Sequence, residues 1–100
     1  MTENPPPIGN SLYVLTLFVT GATPKSLRAI GNLRAICQEH LAGRYELHIV
    51  DLYQQPEQAK LNKLVAAPTL IKSHPIPVRR VIGDMSDASE VLFGLDLSAA

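Results

Sequence analysis

Tryptophan is absent from this chain, and aromatic residues make up only 5% of its 100 positions. Proteins that bind single-stranded nucleic acid stack the bases on aromatic side chains, so this composition argues against such a surface. The formal net charge is zero, from nine basic and nine acidic residues. The chain therefore has no long-range attraction for nucleic acid or an anionic membrane, and any partner must be recognised through local contacts.

Cysteine is also scarce, because Cys37 stands alone. One cysteine excludes an intramolecular disulfide framework and a Cys-x-x-Cys redox centre, and it fits a reducing compartment. No apolar run approaches the length needed to span a bilayer, and the N-terminus lacks the features of a secretory signal. We therefore expect a cytoplasmic protein without membrane partners, in which Cys37 is a small apolar core residue.

Groups for metal, phosphate or acid–base chemistry are missing too. The three histidines have no partner four residues away, which disfavours a metal site. Gly21 to Ser26 ends in Lys-Ser, as a phosphate-binding loop does, but Val19 and Pro24 occupy the glycine positions of that motif. Helix caps and turns account for Asp51, Asp84, Asp87 and Asp96. We expect no cofactor and no catalytic residue, and binding is favoured over catalysis.

The first half of the chain predicts a βαβ unit. Residues 1–10, which contain three consecutive prolines, form a predicted disordered tail before a domain over residues 11–100. Residues 11–20 are apolar on both sides, as in a buried parallel strand. Thr23 and Pro24 then suit the N-cap and first position of a helix over residues 24–42. A second strand follows over residues 44–52, and the apolar stripe of the helix is Leu27, Ile30, Leu33, Cys37 and Leu41.

The second half gives mixed signals. A helix is predicted from Pro56 through Leu61, Leu64 and Val65, and two short strands near residues 67–71 and 78–84 flank a turn rich in proline. Pro68, Pro75 and Pro77 give this segment a capacity for cis peptide bonds and a possible hinge role, although simple shaping of a hairpin is favoured on composition. Arg79 and Arg80 are interpreted as solvated, one on each strand face, in preference to anchors for a partner carboxylate.

The last segment fits two structures equally well. Asp87 followed by Glu90 resembles the start of a helix from Ala88 to Gly94. Residues 91–97 also alternate apolar and other residues as a strand does, and Gly94 weakens a helix. Local rules that disagree in this way reduce the energy gap between competing folds.

These residues resemble the KaiB family of circadian-clock proteins over residues 12–97. The matching stretches are Leu17 to Pro24 with Ser26, Arg28 and Ala29, Val50-Asp51-Leu52 followed by Pro56, Ala67 to Leu70, Pro77 to Asp84, and Gly94-Leu95-Asp96-Leu97. The resemblance implies an α/β fold related to thioredoxin, with a βαβ N-terminal half and a metamorphic C-terminal half. One arrangement would be a ground-state tetramer and the other a thioredoxin-like monomer.

The resemblance further implies a non-enzymatic adaptor that binds the ATPase ring of a KaiC-type hexamer. KaiA or a sensor histidine kinase would be further partners, and the chain would self-associate as a homotetramer or dimer. By motif, the KaiC-facing residues are Gly21, Thr23, Lys25, Arg28 and His48, where His48 replaces a usual lysine. The fold-switch residues are Pro68, Pro75, Pro77, Gly94 and Asp96, and replacing Gly94 or Asp96 would favour the thioredoxin-like form.

Three alternatives stay open at this point. The chain could be the thioredoxin-like sensory domain of a clock-linked histidine kinase, although that gives no account of Gly94-Leu95-Asp96-Leu97. It could be a KaiB homologue that acts in stress signalling without KaiA. It could also be a glutaredoxin or glutathione-binding relative, which thiol turnover would reveal.

Overall fold

The structure, a computed structural model, describes residues 12–97. The predicted disordered tail of residues 1–10 lies outside this range, so the division into tail and domain stays a prediction. The elements are β1 (Tyr13–Val19), α1 (Pro24–His40), β2 (Tyr45–Asp51), α2 (Glu57–Leu61), β3 (Thr69–His74), β4 (Arg79–Ile82) and α3 (Ala88–Gly94).

The four strands form one sheet in the order β2-β1-β3-β4. Strand β1 pairs in parallel with β2, with Thr16 opposite His48, and antiparallel with β3. Strands β3 and β4 are antiparallel, with Leu70 opposite Val81. The predicted βαβ unit and the predicted pair of strands around the proline-rich turn are therefore both confirmed.

One face of the sheet carries the core. Side chains alternate between the two faces of a strand, and the odd-numbered residues Leu15 and Leu17 of β1 are fully buried. They belong to one cluster with Leu33 of α1 and Val91 of α3. Helices α1 and α3 therefore pack on the same face of the sheet.

The buried face of α1 differs in part from the predicted stripe. Leu33 and Cys37 are buried as predicted, but Leu27 is 56% exposed. The residues that face the sheet in the first turns are Ser26 and Ala29. Each residue advances about 100° around a helix, so burial of Ser26 turns Leu27 outward. The prediction for Leu27 is wrong because small residues, rather than the larger apolar one, make the close contact.

Helix α2 is shorter than predicted, with five residues from Glu57 to Leu61. Leu61 is 70% exposed and Val65 is 88% exposed, so the apolar pattern expected to bury this helix does not do so. Lys63 has a positive φ of 53°, which is incompatible with continuing the helix.

The ambiguous last segment is a helix in this structure. Asp87 caps it, since its side chain accepts a hydrogen bond from the Glu90 backbone N–H at 3.2 Å. The strand that residues 91–97 also permit is absent from the described residues. Between residues 12 and 97 three peptide bonds are cis, namely those before Pro68, Pro75 and Pro77.

Candidate functional site

The N-terminal end of α1 forms a tightly bonded corner beside the ends of β1 and β2. Thr23 has extended backbone angles, and its Oγ1 accepts a hydrogen bond from the Ser26 N–H at 3.2 Å. The Thr23 hydroxyl donates to Ser26 Oγ at 2.9 Å, and Ser26 Oγ accepts from the Thr20 N–H at 3.1 Å. The predicted N-cap is thus confirmed, and Ser26 extends it into a link between strand and helix.

Gly21 occupies a position of this corner that suits glycine alone. Its φ is +65°, and a Cβ built there would lie 2.9 Å from the ring of Tyr53. Its N–H donates to Asp51 Oδ1 at 2.9 Å, and the same oxygen accepts from the Tyr53 N–H at 2.9 Å. Asp51 therefore joins the end of β2 to the turn before α1.

Arg28 joins the same corner to the loop between β4 and α3. Its Nε lies 3.2 Å from Asp84 Oδ2, and Asn32 Nδ2 donates to the Asp84 carbonyl at 2.9 Å. Hydrogen bonds from Ser86 and from the Arg28 guanidinium lower the pKa of the Asp84 carboxyl below its usual value. Two residues of α1 thus hold a loop that belongs to the C-terminal half.

Four of the five predicted partner-facing residues lie together at the N-terminal end of α1. Gly21, Thr23 and Arg28 form the corner, and exposed Lys25 lies in the first turn of α1. His48 is separate, because its place in β2 puts it on the sheet face away from α1. There it is exposed, and its Nε2 lies 3.2 Å from Glu46 Oε1.

Sequence reasoning placed Ser26 in this junction without predicting its hydrogen bonds, and it missed Asn32 and Tyr53. A signal existed for Ser26, since a polar residue three positions after an N-cap can bond back to it. Nothing local indicated Asn32 or Tyr53, because their partners are far away in sequence or approach through a turn.

A second group of residues lies where α3 meets β4. Gly94 faces Val81, and a Cβ added at Gly94 would collide with Val81 Cγ2. In the turn after α3, Asp96 Oδ2 lies 3.2 Å from both Lys72 Nζ and Arg79 Nε. The two predicted switch residues of this segment therefore contact β3 and β4.

The two arginines are exposed, as predicted, but they also make contacts that the sequence did not predict. Arg79 binds Asp96, while Arg80 donates to the backbone carbonyls of Asn62 and Lys63. They do lie on opposite faces of β4, as predicted, because neighbouring side chains in a strand alternate. The sequence could not reveal their partners, which lie 17 or 18 residues away.

The predicted switch prolines flank β3. Pro68 is fully buried and its carbonyl accepts from the Gly83 N–H at 3.0 Å. Pro75 and Pro77 lie in the turn between β3 and β4. The structure therefore places Pro68 within the sheet contacts and the other two prolines in the connection.

Cys37 is fully buried, as predicted, and desolvation raises the pKa of its thiol to about 11. Within residues 12–97, no group of three histidine, cysteine or acidic side chains is arranged to hold a metal ion. Among the helices described, none is both long and apolar enough to cross a membrane.

Comparison with known proteins identifies the family. The model of the KaiB domain matches residues 16–97. The chain belongs to the KaiB family. It is 49% identical over 85 residues to the circadian clock oscillator protein KaiB of Prochlorococcus marinus strain MIT 9312, covering 85% of this chain and 81% of that protein. It is 46% identical over 84 residues to the circadian clock protein KaiB3 of Synechocystis sp. PCC 6803, covering 84% and 82%.

Similar solved structures define the fold of this KaiB-family chain. The N-terminal domain of Synechococcus elongatus SasA superposes with a TM-score of 0.71 at 19% identity, covering 100% of this chain and 97% of that domain. Mitochondrial thioredoxin 3 of Saccharomyces cerevisiae superposes with a TM-score of 0.68 at 16% identity, covering 90% and 83%. The predicted family and the predicted thioredoxin-like α/β fold are both confirmed.

Proposed function

We propose that the protein is a non-enzymatic clock or signalling adaptor that binds the ATPase ring of a KaiC-type hexamer and regulates its phosphorylation state or output. The observation that carries this proposal is the KaiB-domain match over residues 16–97, joined to a thioredoxin-like arrangement. Curated relatives bear the name circadian clock protein KaiB. Action in the cytoplasm stays part of the proposal.

The α1 corner is the proposed KaiC-facing surface. Its backbone is fixed by the Thr23, Ser26 and Asp51 hydrogen bonds, so Lys25 and Arg28 are presented from a rigid base. A preorganised surface loses less conformational entropy on binding. His48 would contribute from the other sheet face if the partner wraps around the β2 edge.

We further propose that binding is coupled to a fold change in the C-terminal half, from a ground-state homotetramer to this thioredoxin-like monomer. Residues 91–97 have an apolar pattern that suits either helix or strand. The described C-terminal half also exposes several large apolar side chains, as would a segment that packs differently in another arrangement: Ile76, Val78, Ile82 and Phe93.

A coupled fold change would delay binding. If the competent form were about 1% of the population, the apparent affinity would be about a hundredfold weaker until the partner captures that form. The slow step would then set the time at which the ring becomes occupied.

The likeness to the SasA N-terminal domain supports a second candidate, a KaiC-binding sensory domain of a clock-linked kinase. Sequence identity favours KaiB, at 46–49% against 19%. Two further roles remain in this proposal: partnership with KaiA or a sensor kinase, and stress signalling without KaiA. Testing which purified proteins join the ring complex distinguishes between them.

Charge reversal tests the proposed surface. Lys25→Glu should weaken binding to the KaiC-type ring at least about tenfold. The substitution replaces a cation that attracts an acidic group of the partner with an anion that repels the same group. Arg34→Glu is the matched control, since Arg34 is an exposed cation further along α1, about 13.5 Å from Lys25 along the helix axis at 1.5 Å per residue. Biolayer interferometry with immobilised ring measures both. Equal weakening by the two variants would contradict the surface assignment.

A further inference from the structure

Lys72 is the most deeply buried charged side chain of the described residues. It lies in β3 on the core face, and its side chain is 1% exposed. Its Nζ lies 3.2 Å from Asp96 Oδ2 and 5.9 Å from the centroid of the Tyr13 ring. A buried ammonium without a counterion is strongly unfavourable, so this site depends on the carboxylate of Asp96.

Asp96 reaches Lys72 from the turn that follows α3. The Asp96 residue has a φ of 62°, and the turn is closed by hydrogen bonds from its N–H to Phe93 and from the Leu97 N–H to Leu92. Arg79 Nε shares the same carboxylate oxygen at 3.2 Å. One carboxylate therefore neutralises cations from two strands, and within residues 12–97 no second carboxylate forms an ion pair with Lys72.

The other groups around this pair do not replace Asp96. Tyr13 of β1 presents its ring, and Glu90 of α3 lines the groove beside Arg79 and Asp96 without pairing with Lys72. His74 follows on the same face of β3 and is exposed. Towards the end of α1 the residues in this core are apolar, namely Ile36 and Cys37, and the apolar Leu41 follows directly after the helix.

We propose that Asp96 is a counterion lock, which holds the C-terminal turn on the sheet because Lys72 cannot stay buried without it. Release of the turn leaves the Lys72 ammonium unpaired in the core, so the turn and β3 have to rearrange together. The lock concerns the stability of this arrangement and stands or falls independently of KaiC binding.

The lock is sensitive to acid. The hydrogen bonds from Lys72 and Arg79 lower the pKa of Asp96. A carboxyl whose pKa is lower in the folded state stabilises that state above its unfolded pKa of about 3.9 and loses the effect as the pH falls through its folded value. The turn should therefore loosen in acid before the rest of the sheet does.

Amide hydrogen exchange of the full chain, measured by NMR on its monomer fraction, tests the lock. Asp96→Asn removes the charge and keeps a residue that tolerates positive φ. We expect the protection factors of the Leu95 and Leu97 amides to fall about 10-fold to 100-fold, the usual range for losing a hydrogen bond to a charged group. Lys72→Met removes the need for a counterion, so adding Asp96→Asn to that variant should change protection by less than about threefold.

A control variant and a pH series distinguish the lock from a general loss of stability. Glu90→Gln, the matched control in the same groove, should leave both protection factors within about twofold. The difference between wild type and Asp96→Asn should vanish as the pH falls below the usual carboxyl range. Equal losses from Asp96→Asn with and without Lys72→Met would overturn the lock, and so would a difference that does not depend on pH. If Asp96→Asn does not fold while the double variant does, the lock is supported; if neither folds, it is overturned.

Discussion

At the scale of single residues, Cys37 shows how burial determines chemistry. The thiol lies in the core beneath α1, and its pKa of about 11 results from desolvation. A thiol is nucleophilic only as the thiolate, and a pKa of about 11 leaves roughly one thiol in a thousand ionised at pH 8. Cys37 is therefore suited to packing and unsuited to thiol exchange.

We predict that iodoacetamide modifies Cys37 at least about 100-fold more slowly in the native protein than in 6 M urea, because modification requires opening of the core. Mass spectrometry of quenched samples at pH 8 gives both rates. Modification of the native protein at the rate of a free thiol would show that the core beneath α1 is open to solvent.

At the scale of elements, the close approach of α3 to β4 depends on Gly94. Alanine at this position gains helix propensity of up to about 1 kcal/mol, but its Cβ would collide with Val81. Overpacking typically costs about 1–3 kcal/mol. The collision should therefore outweigh the propensity in this arrangement.

We predict that Gly94→Ala lowers the free energy of unfolding of the monomer by about 1 kcal/mol, and that the same change in a Val81→Ala background is neutral or stabilising. Urea denaturation of the monomer fraction measures all four proteins. An equal loss in both backgrounds would contradict the contact.

The family resemblance predicts the opposite sign for the equilibrium between arrangements, in which replacing Gly94 or Asp96 favours the thioredoxin-like form. Gly94→Ala can destabilise the monomer and still raise the share of monomer only if it destabilises the other arrangement more. Size-exclusion chromatography of Gly94→Ala reports the monomer share, while urea denaturation reports the stability of the monomer itself.

Much of this element-level picture was predictable from sequence because its causes are local. The cap at Thr23, the strand β1 and the cap at Asp87 each follow from short-range rules. Burial of Leu27 and Val65 was predicted wrongly, because the sheet contact of α1 uses small residues and α2 stops early. The choice of helix over strand for residues 91–97 needs contacts with β3 and β4, which no local pattern contains.

The candidate site was predictable only in part, because motifs indicate residues but not their distant partners. Motif resemblance indicated Gly21 and Arg28, and the structure adds the partners that hold them, Asp51 and Asp84. The pairing of Lys72 with Asp96 spans 24 residues. Such a pair appears only when the turn after α3 is placed against the sheet.

At the scale of the whole molecule, one carboxylate joins the C-terminal half to α1, and a second joins the turn after α3 to strands β3 and β4. Asp84 pairs with Arg28 of α1, and Asp96 pairs with Lys72 and Arg79. The pKa of each carboxyl is lowered by these contacts. Both groups therefore contribute stability above the ordinary aspartate pKa of about 3.9 and lose it as the pH falls through their folded values.

We predict that the urea midpoint of the wild-type monomer fraction falls between pH 5 and pH 2, and that Asp84→Asn flattens this dependence while having its largest effect near pH 7. Asp87→Asn is the matched control, because asparagine is also a good N-cap. Circular dichroism across the pH series measures the midpoints. An identical pH dependence in wild type and Asp84→Asn would show that the Arg28 pair contributes nothing to acid sensitivity.

We propose that this thioredoxin-like form is captured slowly by a KaiC-type ring. The direct measurement mixes the full chain with the KaiC-type ATPase of the same organism and ATP, and follows complexes by native mass spectrometry over hours. We predict that rings carrying bound monomers accumulate slowly as free chain is depleted. Complete binding within the mixing time would contradict the proposed delay, and no bound monomer under any nucleotide condition would contradict the adaptor function itself.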